Sequence, residues 1–192
     1  MAGNALTQSS AVLTEEEYLS FERSSNVKHE YLSGHIYAMA GAIREHNLIT
    51  GNVAGELRAQ LKGKPYETYS NDMRVRIPRA GQYTYPDVVI VCGTPQFLDD
   101  QADTLLNPLV IIEVLSSSTE AYDRGEKFRD YRSIESLSEY ILISQTKRAV
   151  DHFAKINNIW TIQEVEQEIR FVTIPCVLTF PEIYDRVEFS QK

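Results

Sequence analysis

Two hydrophobic rhythms alternate along the chain. "YTYPDVVIVC", "LVIIEVLS" and "EYILIS" are apolar at nearly every position, the pattern of strands covered on both faces. "REHNLITGNVAGELRAQLKG" instead places Leu48, Val53, Leu57 and Leu61 at helical intervals, with Gly63 as a stop and Pro65 just beyond. Thr14 to Glu17 forms a capping box before "YLSFER" and predicts a short first helix. "VKHEYLSGHIYAMAGA" reads as a hairpin turning at Ser33-Gly34. "YETYSNDMRVRI" is a further strand-like run, and "DRGEKFRDYRSI" is helical with Phe128, Tyr131 and Ile134 on one side. "RAVDHFAK" and "IWTIQEV" flank Asn157-Asn158 as a second hairpin, and Thr179 to Glu182 is a second capping box opening a last short helix. The order predicts a mixed α/β domain, one central sheet flanked by helices, with β-hairpins added towards both ends. Residues 1–192 are expected to form a single domain, with 1–12 flexible.

Composition narrows the class. The chain has 192 residues and a net charge of −8, which argues against a protein that coats nucleic acid along its whole surface. A local basic cleft, or an acidic site holding a cation, stays open. No run approaches the roughly 18 apolar residues of a membrane span. "MAGNALTQSSAVLTEEE" has neither the basic start nor the apolar core of a secretory signal, so a cytoplasmic location is expected. Cys92 and Cys176 lie far apart in apolar contexts and are expected to be free, buried thiols.

One residue breaks the apolar rhythm: Glu113, inside "LVIIEVLSSS". A buried unpaired carboxylate costs several kcal/mol or shifts its pKa, so a cation, a proton or solvent must compensate it. Asp87 opens the preceding apolar run, directly after Pro86. Side chains alternate along strands, so Asp87 shares a face with Val89 and Val91, and Glu113 with Ile111 and Leu115. If the two strands pair, both carboxylates project from one side. Two carboxylates at one place repel unless a divalent cation lies between them, and Mg²⁺ commonly takes one or two carboxylates plus water and phosphate oxygens. The alternative is a turn-forming aspartate and an unrelated glutamate paired with an arginine.

Further candidates surround this pair. Lys127, on the helix after the Glu113 strand, is spaced to share a helix face with Arg124 and Tyr131. A lysine beside a metal and a phosphate orients water or stabilises developing negative charge; the alternative is a solvated lysine on an amphipathic helix. Glu45, His46 and Glu56, on the long helix, could reach the sheet edge, although a capping or packing role suits His46 better than metal ligation. Asp72, beside Asn71 within "YETYSNDMRVRI", is a secondary candidate or part of a bulge.

"YPDVVIVCG", "LNPLVIIEVLSSSTEAYDRGEKFRDYRSI" and "EYILISQ" together resemble a bacterial "putative restriction endonuclease" family of the PD-(D/E)XK nuclease superfamily, from about Thr14 to Phe189. The resemblance implies a restriction-endonuclease-like fold. It matches Pro86-Asp87 to the "PD" and Glu113 to the "(D/E)". The motif lysine would fall on residue 115, which is Leu115 here, so the resemblance implies a lysine migrated to the next helix, Lys127. The first-helix acid would fall on Glu45 or Glu56. The implied activity is a Mg²⁺-dependent endonuclease, with Mn²⁺ as a substitute, hydrolysing DNA as a homodimer with Asp87 and Glu113 as metal ligands. The alternative is a catalytically degenerate nucleic-acid-binding or assembly module of the same fold.

Overall fold

The computed structural model describes residues 12–189, so all but the last residue of the segment expected to be flexible lies outside them. Thr14 caps α1 (Glu15–Ser24) through the reciprocal bonds with Glu17 that the sequence predicts. β1 (His29–Leu32) and β2 (His35–Ala38) form the first hairpin, turning through Ser33 and Gly34 with φ of 51° and 91°. Positive φ at both turn positions matches the twist of the flanking strands. α2 (Arg44–Leu61) follows, then β3 (Tyr66–Ser70), β4 (Arg74–Ile77), β5 (Gln82–Thr84), β6 (Val88–Cys92), β7 (Thr104–Leu105) and β8 (Val110–Leu115). α3 (Glu120–Tyr122), a π-helical turn (Asp123–Lys127) and α4 (Phe128–Tyr131) run on without a break. β9 (Glu139–Ser144), β10 (Val150–Ile156), β11 (Ile159–Val165), β12 (Glu168–Arg170), β13 (Val177–Thr179) and α5 (Phe180–Ile183) complete the fold.

The fold is mixed α/β, but the strands form more than one central sheet. The main sheet has the order β11-β10-β9-β8-β6-β3, a second has the order β2-β1-β5-β4-β7, and β12 and β13 pair separately. Two runs that read as single strands each change sheets midway. "YETYSNDMRVRI" breaks at Asn71, whose φ of 62° leaves the extended region, so β3 joins the main sheet and β4 the second. "YTYPDVVIVC" breaks at Pro86, which has no N–H to give a ladder, so β5 and β6 also part. The two crossings are tied together, Asn71 N–H donating to the Asp87 carbonyl at 3.0 Å. The first hairpin therefore belongs to the second sheet, whereas β10–β11 extends the main sheet rather than adding beside it.

The continuous apolar strands are explained by burial on both faces. Val88, Ile90, Val110, Ile112 and Val114 pack with Ile49, Val53 and Leu57 of α2 and with residues of β12, β13 and α5. Val89, Val91, Ile111 and Leu115 pack the other way, with Val75, Ile77, Tyr131 and Tyr140. On α2, Val53, Leu57 and Leu61 are buried as expected, while Ile49 is buried and Leu48 only half-buried. Among the thiols Cys176 is buried, but Cys92, the last residue of β6, is exposed because the strand ends there. No described helix is long and apolar enough to cross a membrane.

A second buried acid sits within the main sheet. Glu139 starts β9 fully buried and accepts bonds from His152 Nε2 at 2.6 Å, the Val172 N–H at 3.0 Å, and the Thr173 N–H at 2.7 Å and hydroxyl. Burial alone would raise its pKa; these donors outweigh it and hold the carboxyl below its usual value of 4.5. A lowered folded pKa contributes stability that is complete above the unfolded value and lost as pH falls through the folded one. The wild type is therefore expected to lose stability as pH falls below about 4.5. Glu139→Gln should lose about 3–5 kcal/mol at neutral pH and show a flatter acid limb. Urea unfolding at pH 7 and pH 4 checks both, and parallel acid limbs would assign the pH dependence elsewhere.

Candidate active site at the end of the main sheet

Asp87 and Glu113 meet because of strand register. β6 and β8 run antiparallel with Val88 opposite Ile112, and one further step of that register brings Asp87 opposite Glu113. Asp87 stands where its chain segment enters the main sheet, and both its oxygens are engaged: Oδ2 accepts from the Val114 N–H at 2.7 Å, and Oδ1 is 2.8 Å from His46 Nε2. His46 lies in the first turn of α2. Burial lowers the His46 pKa, but the bond to Asp87 and its charge outweigh this, so the imidazole holds its proton to higher pH than usual. The side chains of His46 and Asp87 are each 16% exposed, whereas that of Glu113 is only 6% exposed, so His46 and Asp87 form the more open end.

At the inner end lies Lys127, only 5% exposed. Its ammonium is 2.9 Å from Glu113, 3.2 Å from Glu30 and 3.5 Å from Asp123. The Tyr131 hydroxyl donates to Glu113 at 3.2 Å and is 2.8 Å from Thr84. Leu115, at the position where the motif lysine would fall, packs in the apolar layer beside Tyr131, and Lys127 reaches Glu113 from the following helix. One ammonium cannot neutralise three buried carboxylates. Burial pushes the Glu113 pKa up to about 8, with Asp123 and Asp87 adding to the effect and Lys127 opposing it. Burial would lower the Lys127 pKa, but Glu113 and Glu30 outweigh it and keep the ammonium charged.

The structure brings Asp87, Glu113, Lys127, His46 and Tyr131 together. It does not bring the remaining candidates. Arg124 turns away to Glu120, at 2.9 Å, and Asp151. The π-turn widens the helix there, so the three-residue spacing from Arg124 to Lys127 no longer defines one face. Asp72 is 85% exposed and pairs with Lys28 at 2.9 Å. Glu45 pairs with its neighbour Arg44 at 3.4 Å, and neither Glu45 nor Glu56 bonds Lys127, Glu113 or Asp87 among the described residues. Glu30, from β1, and Asp123 stand against Lys127 instead. Asp123 carried a readable signal, its four-residue spacing to Lys127. Glu30 lies in a short hairpin strand whose sequence carries none.

The donors suit a hard cation. Carboxylate oxygens outnumber the buried cations, and each Asp87 oxygen keeps a further lone-pair direction. The Gln145 side chain stands beside His46 with its Oε1 buried, and the buried Tyr122 hydroxyl near Lys127 has no hydrogen-bond partner among the described residues. No group of three or more His, Cys, Asp and Glu side chains converges as a ready-made metal cage among the described residues. Asp87 and Glu113 would therefore share a cation with water, backbone or substrate oxygens.

Residues 15–183 match the Uma2 family, described as "Putative restriction endonuclease". Two proteins of Synechocystis sp., both named as uncharacterized, are similar: sll1609 is 37% identical over 82% of this chain and 89% of its own, and slr1290 is 38% identical over 74% of each. A crystal structure from Anabaena variabilis, titled as a putative nuclease belonging to DUF820, shares the fold with a TM-score of 0.74 at 14% identity, covering 92% of this chain and 99% of its own.

The charge count at Lys127 yields a stability prediction. Lys127→Met leaves Glu30, Glu113 and Asp123 facing one another and should cost about 3–5 kcal/mol in the metal-free protein. Glu113→Gln leaves Lys127 with Glu30 and Asp123 and relieves repulsion from Asp87, so its stability should stay within about 1 kcal/mol of wild type. Urea unfolding in EDTA measures both; an equal, large loss in the two variants would mean that Glu113 and Lys127 are a simple structural pair.

Proposed function

The chain belongs to the Uma2 family of "putative restriction endonucleases", and from that premise we propose that it is a divalent-metal-dependent endonuclease hydrolysing phosphodiester bonds in DNA. The observation that carries this reading is the meeting of Asp87, Glu113 and Lys127 at one sheet end, with more carboxylate than the ammonium can balance. Asp87 and Glu113 would hold the cation, Mg²⁺ or Mn²⁺. When bound, it supplies Lewis acidity: it makes water a better nucleophile and offsets charge on the phosphoryl oxygens. Val114 N–H and His46 fix the orientation of Asp87. Lys127 would hold the attacking water or the developing negative charge. Glu30 and Asp123 keep it charged and aimed along the sheet end. The water oxygen bonds to phosphorus and gives up a proton to solvent, a bridging P–O bond breaks with its electron pair on the departing oxygen, and that oxygen takes up a proton from solvent. A homodimer would present two such sites, one for each strand.

A second reading, a nucleic-acid-binding or assembly module of the same fold, is favoured by the depth of Lys127, which is enclosed by carboxylates on the inner side of the site. Nicking of supercoiled plasmid in Mg²⁺ and in Mn²⁺ separates the two. Wild type should nick only with the metal, and Asp87→Ala and Glu113→Gln should each lose about a hundredfold or more. Lys127→Arg keeps the buried positive charge but not the compact ammonium, so it should fold and fail to nick. Tight DNA binding by a wild type that never nicks would establish the second reading. Undiminished nicking by Asp87→Ala would rule out the assigned metal ligands.

A further inference from the structure

Away from the sheet end, a groove of about 600 Å³ lies between the β4–β5 turn, the end of α4 and the β10–β11 turn. Arg79, Arg129, Arg132 and Lys155 line it, with Trp160 as a wall and Asp130 as the one acidic group among the described residues that line it. The gathering runs against the chain's overall balance of 27 acidic to 19 basic residues. Four cations from three separate elements repel one another, so an ordinary solvated face would not be expected to collect them.

Their local contacts leave most of the charge available. Arg79 and Arg132 are exposed, and neither they nor Lys155 forms an ion pair among the described residues. The Arg132 guanidinium lies 5.3 Å from the Phe128 ring centre. Lys155 donates to the Glu135 carbonyl at 2.8 Å and stands 5.9 Å from the Trp160 ring. These contacts orient the cations without cancelling them. Arg129 alone meets a carboxylate, Asp130, at 3.2 Å, and that carboxylate also accepts from Gln82 at 3.1 Å. Trp160 is fixed in turn, packed edge-on against Phe128 at 5.3 Å.

We propose that this groove binds the sugar–phosphate backbone of duplex DNA at a distance from the scissile bond. The proposal rests on the nuclease reading and deepens it. Arg129 and Arg132 follow Lys127 by two and five residues, or roughly 3–8 Å along a helix axis. Duplex DNA carries a charge every ~1.7 Å of its length, so a duplex engaged at the more open end of the site, by His46 and Asp87, has phosphates to offer well beyond it. Backbone contacts of this kind add affinity and set the register of the duplex without reading sequence. They also let a strongly acidic protein hold a polyanion.

The test is fluorescence anisotropy of a labelled random-sequence duplex titrated with the intact protein over a series of NaCl concentrations. Wild type is compared with Arg79→Ala/Arg132→Ala, both exposed and without an ion pair among the described residues, and with Arg170→Ala on β12 as a control. The double variant should bind about tenfold or more weakly at low salt. Its slope of log K against log salt should be shallower by about two units, one for each lost phosphate contact. Arg170→Ala should match wild type. At saturating DNA the double variant should nick as fast as wild type, needing only more DNA to saturate. A double variant with wild-type affinity and slope would overturn the groove while leaving the nuclease reading intact. Groove-dependent binding by a wild type that never nicks would uphold the groove and overturn the nuclease reading. A wild type that binds no duplex at low salt would overturn the groove proposal.

Discussion

The buried ammonium of Lys127 is the constraint on which the candidate site depends. A single ion in a protein interior pays a desolvation penalty of several kcal/mol unless partners surround it. Here the partners come from three parts of the fold: Glu30 from the second sheet, Glu113 from the main sheet, and Asp123 from the helical segment that also carries Lys127. The ammonium therefore fastens the two sheets and the helix together at one point. It does so with too little charge, since three carboxylates face one ammonium and Asp87 adds a fourth nearby. Burial is the main cause of the raised Glu113 pKa, and the neighbouring carboxylates of Asp123 and Asp87 add to it; a divalent cation is a species that would offset both.

Local backbone features put these groups in place. Pro86 and Asn71 break two strand-like runs at the same level and hand the chain from one sheet to the other, which sets Asp87 at the rim of the main sheet instead of inside it. A carboxylate deeper in β6 would be enclosed by the two apolar layers; at the rim it reaches both the Val114 N–H and His46. The π-turn has a similar effect on the helix. It turns Arg124 out towards Asp151 while Lys127 and Tyr131 face Glu113. π-turns recur at functional sites, and here the turn sorts two cations, one to the surface and one to the interior.

Much of this was legible in the chain. Side-chain alternation along β6 and β8 meant that Asp87 and Glu113 would project from one side if the two strands paired, and Lys127 on the helix after β8 was a candidate beside them; its direct pairing with Glu113 was not foreseen, because the cation expected there was a metal. Both capping boxes and both hairpin turns form where their residues place them. The division into sheets was not legible, because a strand that continues and a strand that bends into another sheet have the same apolar rhythm. Asn71 and Pro86 were the available signs, but either also suits a bulge or an edge. Glu30 was hidden for a related reason: its importance comes from β1 pairing with β5, a long-range contact, and nothing in "HEYL" marks a buried acid. The face of Arg124 was misplaced because ideal α-helical spacing does not hold across a π-turn.

The central claim is that the surplus carboxylate at the sheet end is a divalent-cation site. Its most direct test is a crystal of the protein soaked in Mn²⁺ and measured for anomalous scattering at the manganese edge. The account predicts one strong peak bridging the Asp87 and Glu113 carboxylates, at roughly the 2.0–2.6 Å separations of hard-cation–oxygen bonds, with the rest of its shell made of water or backbone oxygen. A map with no peak there at saturating Mn²⁺, and Glu113 still bound only to Lys127 and Tyr131, would contradict it.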